Sequence, residues 1–71
     1  MRGFYLIVSV KDGGRRKEML LDFPVMQGED EKACTARAEK YCRDKAYTFK
    51  QMLLEHDVPD GSSVKIIDEF I

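Results

Sequence analysis

Apolar and polar positions alternate near the start of the chain, where Phe4, Leu6, Val8 and Val10 interleave with Tyr5, Ile7, Ser9 and Lys11. A period of two places successive side chains on opposite faces of an extended backbone, so Gly3 to Lys11 predicts a strand. Asp12-Gly13-Gly14 follows, and adjacent glycines accept the positive φ of a primed two-residue turn, so the chain should reverse there and return from Arg15 to Pro24. Only a two-residue loop keeps apolar opposite apolar, setting Leu6 against Met19 or Leu21 and Phe4 against Leu21 or Phe23. Proline donates no backbone hydrogen bond, so the returning strand should lie at a sheet edge or finish at Pro24.

The period then changes. Gly28-Glu29-Asp30-Glu31 opens a stretch without Gly or Pro until Pro59, and its carboxylates suit the positive end of a helix dipole. Cys34, Ala38, Tyr41, Cys42, Phe49, Met52 and Leu53 recur at three- and four-residue spacing as one apolar stripe that Lys45 interrupts. A straight helix from Gly28 to Glu55 would be about 42 Å long against about 30 Å for a nine-residue strand. Such a helix must overhang, bend or break, and Arg43-Asp44-Lys45 is where a division into two helices falls. Val58-Pro59-Asp60-Gly61 ends the helical region by turn chemistry, and Val64 to Ile71 reads as a last strand. The expected fold is a single α+β domain over residues 1–71. Its order is ββαβ, or ββααβ if the helix breaks. The three-stranded antiparallel sheet, in order 2-1-3 with Phe4 to Val10 central, packs against one long or kinked helix.

In that arrangement Phe4, Leu6, Val8, Val10, Met19, Leu21, Phe23, Val64, Ile66 and Phe70 form the main core face. Tyr5, Ile7, Leu20, Ile67 and Ile71 point the other way, and one helical layer covers only one face. An uncovered apolar set of this kind marks a partner site, filled by a second copy or another protein. The alternative is a kinked second helix that carries Phe49, Met52 and Leu53 over this face. Edge strands offer a further route, because their open backbone groups accept an added strand.

Composition narrows the partners. The chain has 71 residues, 44% hydrophobic and 35% charged, as in an ordered globular domain with no low-complexity linker. A net charge of −1 supplies no global attraction to nucleic acid. Its apolar runs fall far short of the roughly 20 residues of a membrane helix, so a membrane partner is not expected. Cys34 and Cys42 lie about 12 Å apart on a helix, too far for a disulfide at about 7 Å. Free thiols, and no recognisable signal peptide, fit a cytoplasmic protein.

Positive charge gathers only at the hairpin tip, where Lys11, Arg15, Arg16 and Lys17 flank the two glycines. These residues either grip phosphates or an acidic protein surface, or serve to keep an edge strand from aggregating. Tyr5 and Tyr47 are the only aromatic candidates for base stacking nearby. His56 precedes Asp57 at the expected helix end, where the dipole favours an imidazolium. Cys34, Cys42 and His56 are too scattered for a zinc site, and the carboxylates at Asp57, Asp60, Asp68 and Glu69 do not match a calcium loop. Gly13-Gly14 lacks the helix and Lys-Ser/Thr pair of a phosphate-binding loop. No catalytic, cofactor or metal site is therefore expected.

The hairpin around Asp12-Gly13, the acidic opening Glu29-Asp30-Glu31 and an alanine-spaced helix before a last strand resemble the layout of small phage-encoded inhibitors. These are anti-CRISPR proteins and phage inhibitors of host enzymes. The resemblance implies a non-catalytic module that blocks the surface of a larger target without a cofactor. A nucleic-acid-binding accessory protein acting through the hairpin tip is the second expectation.

Overall fold

The computed structural model describes residues 1–59 and 64–70. Strand β1 (Arg2–Asp12) turns into β2 (Arg15–Pro24), followed by helix α1 (Glu31–Lys45), β3 (Thr48–Asp57) and β4 (Lys65–Phe70). The fold is α+β, with an antiparallel four-stranded sheet in the order β3-β1-β2-β4. Asp60 and Gly61 of the expected turn, and Ile71, lie outside the described residues.

The hairpin follows from its turn chemistry. Gly13 and Gly14 have φ of 59° and 84°, the positive values a primed turn demands, and the register sets Leu6 opposite Leu21 and Phe4 opposite Phe23. β1 is central and β2 finishes at Pro24, but β2 is not an edge strand.

Helix α1 begins where the acidic cluster predicts. Asp30 is its N-cap, accepting a 2.7 Å hydrogen bond from the Ala33 N–H, a contact typically worth about 1 kcal/mol. Glu29 closes the approach by accepting from the Met26 N–H at 3.0 Å and from the Arg37 guanidinium at 2.9 Å. Arg37 also donates to the Pro24 carbonyl and lies 4.3 Å above the Phe23 ring, so one side chain ties the helix to the end of β2.

The helix stops at Lys45 without a glycine. Ala46 adopts φ 61°, and its N–H and that of Tyr47 donate to Arg43 and Cys42 carbonyls at 3.1 and 2.7 Å, satisfying carbonyls the last turn leaves open. The break therefore falls at Arg43-Asp44-Lys45 as expected, but a strand follows it instead of a second helix.

The helical reading of Phe49, Met52 and Leu53 fails for a specific reason. In β3, Phe49 pairs with Val8 and Met52 with Leu6, with register shifts that leave Lys50 and Leu54 as extra residues. Each bulge inserts one residue into a period of two, so core-facing positions recur at three, the spacing of a helix turn. This segment fills the place beside β1 expected for the last strand. The last strand pairs with β2 instead, so the three-stranded 2-1-3 sheet gives way to four strands.

The core lies between α1 and one sheet face. Phe4, Leu6 and Val8 of β1 and Met19, Leu21 and Phe23 of β2 are buried with Val25, Cys34, Ala38 and Cys42, while Val10, Phe49, Met52 and Val64 pack at its margin. The edge of the Tyr41 ring meets Phe23 at 5.9 Å. Cys34 and Cys42 are buried free thiols, and burial pushes both above the ordinary thiol value. Ile66 and Phe70 depart from their expected place in the core. Ile66 keeps a core-side position opposite Leu21 but is 51% exposed, whereas a third bulge, at Ile67, shifts the β4 register so that Phe70 pairs with Glu18 on the other face, 39% exposed.

Candidate partner-binding face

The sheet face opposite α1 can be read row by row from the strand pairing. One row runs Leu53, Tyr5, Asp22, Lys65; the next runs Gln51, Ile7, Leu20, Asp68; the third runs Thr48, Ser9, Glu18, Phe70. Leu53, Tyr5, Ile7 and Leu20 form a half-buried apolar centre that no second helix among the described residues covers. Polar and charged residues ring it, the anatomy of a protein interface with an apolar middle and a polar rim.

Of the residues the sequence assigned to this face, Tyr5, Ile7 and Leu20 lie together. Ile67 is the inserted residue of the β4 bulge and is 45% exposed, so strict alternation does not place it with them. Leu53 and Phe70 join the face instead, and only the bulges put them there.

One end of the face is closed by a cluster that strand alternation alone did not reveal. His56 pairs with Gly3 across the β3–β1 ladder, stacks on the Tyr5 ring at 3.9 Å with planes 7° apart, and meets Asp22 of β2 through Nε2 at 2.7 Å. His56 is thus no helix-terminal residue; it spans the central strand from β3 to β2. Its Nδ1 lies 3.5 Å from the Leu54 carbonyl oxygen, so both ring nitrogens face protein oxygens. The pair gives the buried Asp22 carboxylate a partner that its burial requires. Reaching over the central strand from β3 to β2, the cluster forms a strand-to-strand tie.

Gly3 makes room for this end. A Cβ there would lie 3.0 Å from the Phe23 carbonyl oxygen and 3.1 Å from Val58 Cγ1. Val58, 1% exposed, is held by its N–H donating to the Met1 carbonyl at 2.6 Å and by the Met1 ammonium donating to the Val58 carbonyl at 2.8 Å. In the sequence this end is marked by one signal, a glycine at the start of an otherwise bulky strand.

The hairpin tip divides between the two faces. Lys17 is opposite Val10 on the core side and is engaged by Glu69 at 3.2 Å and Asp12 at 3.8 Å. Arg15 pairs with Asp12, whereas Lys11 is directly opposite Arg16, on the same side as Ile7 and Leu20 by alternation. Among the described residues, Lys11, Arg15 and Arg16 are exposed and form no ion pair.

Among the described residues no group of three or more His, Cys, Asp or Glu side chains is placed to hold a metal ion, and no helix is long and apolar enough to cross a membrane. Comparison with protein families, curated proteins and solved structures finds no match.

Proposed function

We propose that this protein is a non-catalytic protein-binding module, regulatory or inhibitory in action, that occludes a partner's surface with the sheet face opposite α1. The observation carrying this reading is the apolar centre of Leu53, Tyr5, Ile7 and Leu20 on the sheet face opposite α1, where His56 stacks on Tyr5 and all four side chains stay partly exposed. Apolar sets left partly uncovered within a polar rim serve as interaction sites on small domains, and the partner is either a second protein or another copy of the chain. The resemblance of its sequence, in the hairpin and the acidic helix start, to phage inhibitors such as anti-CRISPR proteins supports an inhibitory role. Blocking of this kind requires no cofactor.

The test combines solution mass with target capture from a host extract, using wild type and Ile7→Asp. The expected result is an Ile7→Asp protein with native circular dichroism that has lost self-association or capture. A strictly monomeric wild type whose capture survives Ile7→Asp would overturn the reading.

A second reading, a nucleic-acid-binding accessory protein, draws on the exposed and unpaired Lys11, Arg15 and Arg16. Phosphate binding should weaken steeply as salt rises, and apolar protein binding far less.

A further inference from the structure

The hairpin tip and the apolar centre are adjoining parts of one face. The pairing Ile7 with Leu20 and the pairing Lys11 with Arg16 belong to the same unbroken β1–β2 register, four residues apart and therefore on the same side, separated by about 13 Å at the rise of a strand. Lys11 directly opposite Arg16 is a like-charge cross-strand pair, an arrangement that disfavours the free hairpin. Neither side chain has an ion-pair partner among the described residues. Glu18 shares the face one row away, without forming an ion pair with either cation.

We propose that Lys11 and Arg16 are the charged end of the docking face and bind carboxylates of a partner protein whose apolar segment rests on Ile7 and Leu20. This rests on the protein-binding reading above. The occupant is an amphipathic segment, apolar in its middle and acidic about 13 Å away, a spacing of some four residues along a strand. Charge complementarity selects it over the alternatives. Phosphates tracking along the face would cross Glu18 and Asp68, which lie between or beside the apolar residues, and like charges there would repel a continuous polyanion. A second copy turned end for end would bring the Gly3 end of the sheet over the cations. The face's carboxylate there, Asp22, is buried and already held by His56.

The experiment titrates the isotopically labelled full chain with two synthetic peptides sharing one apolar core, ending in a cluster of either glutamates or lysines. Amide shifts are followed by NMR. The glutamate peptide should perturb Ile7, Leu20, Lys11 and Arg16 together, and bind about tenfold more tightly than the lysine peptide, a factor set by about 1.4 kcal/mol. That advantage should vanish in Lys11→Glu/Arg16→Glu and in about 1 M salt, where the screening length falls to about 3 Å. Lys11→Glu alone should also raise the thermal midpoint of the free protein, since it turns a like-charge pair into an opposite-charge one, while weakening the glutamate peptide. A purely structural role would not move the two readouts in opposite directions. Equal binding of both peptides, with shifts at Ile7 and Leu20 lost in Ile7→Asp, would overturn the charged end and leave the apolar docking face standing. Binding indifferent to Ile7→Asp, or no perturbation of this face at millimolar peptide, would overturn both.

Discussion

The two faces of this sheet are built from the same strands yet obey different constraints. On the α1 side, Leu6, Val8, Leu21 and Phe23 are at most 1% exposed, enclosed by helix and sheet, and their packing holds the domain together. On the other side, Tyr5, Ile7 and Leu20 alternate with them residue by residue but remain half-buried among Glu18, Gln51, Lys65 and Asp68. In the first half of β1 both faces carry large apolar residues, Phe4 and Leu6 against Tyr5 and Ile7, so there residue type alone does not say which face is the core. A covering layer does, and the only helix in the described chain is on one side. The far face is also divided: His56, Asp22 and Tyr5 lock one end, and Ile7, Leu20 and Leu53 make up its partly exposed middle.

Substitutions on the two faces should separate these roles. Leu6→Ala, at the fully buried centre, should cost about 2–5 kcal/mol. That is a large share of the roughly 4–11 kcal/mol expected for a domain of this length, so its urea midpoint should fall sharply. His56→Ala should come next, at about 1–3 kcal/mol, because it leaves the buried Asp22 carboxylate without its partner. If His56→Ala unfolds at the wild-type midpoint, the locked end of the face has no structural role. Ile7→Ala should cost less, about 1–2 kcal/mol, since a partly exposed side chain gives up only part of the transfer energy of a buried one and leaves no enclosed cavity. An Ile7→Ala loss as large as that of Leu6→Ala would erase the distinction between the faces.

Two smaller effects concern the elements that frame the core. Ala46→Gly should raise stability by about 0.5–1 kcal/mol in thermal unfolding, because glycine takes the left-handed conformation at Ala46 (φ 61°) without the Cβ penalty. The hydrogen bond from Arg37 holds the Glu29 carboxyl below its ordinary value of 4.5. The native state therefore favours the ionised form, and the resulting stabilisation is complete above that ordinary value. It is lost as pH falls through the lowered native one. Glu29→Gln should flatten this acid limb of stability measured against pH. An unchanged limb would remove the Glu29–Arg37 contact from the forces that fasten α1 to β2.

What the sequence alone determined is local. Alternation in β1 and β2, the glycine pair of the turn, the two-residue register and the acidic helix start each depend on neighbours within a few positions. These features were legible to within a residue or two, as was the break at Arg43-Asp44-Lys45. The separation of Tyr5, Ile7 and Leu20 from the core residues followed from the same alternation. The tertiary structure decided everything that depends on an inserted residue or a distant partner. Bulges at Lys50 and Leu54 gave β3 a spacing of three that imitates a helix, and the bulge at Ile67 moved Phe70 to the other face. No local signal links Asp22 to His56, which meet only because β3 and β2 flank the same strand. Periodicity reports which residues share a face only while the period holds, and strand order is set by long-range pairing that no stretch of this chain encodes by itself.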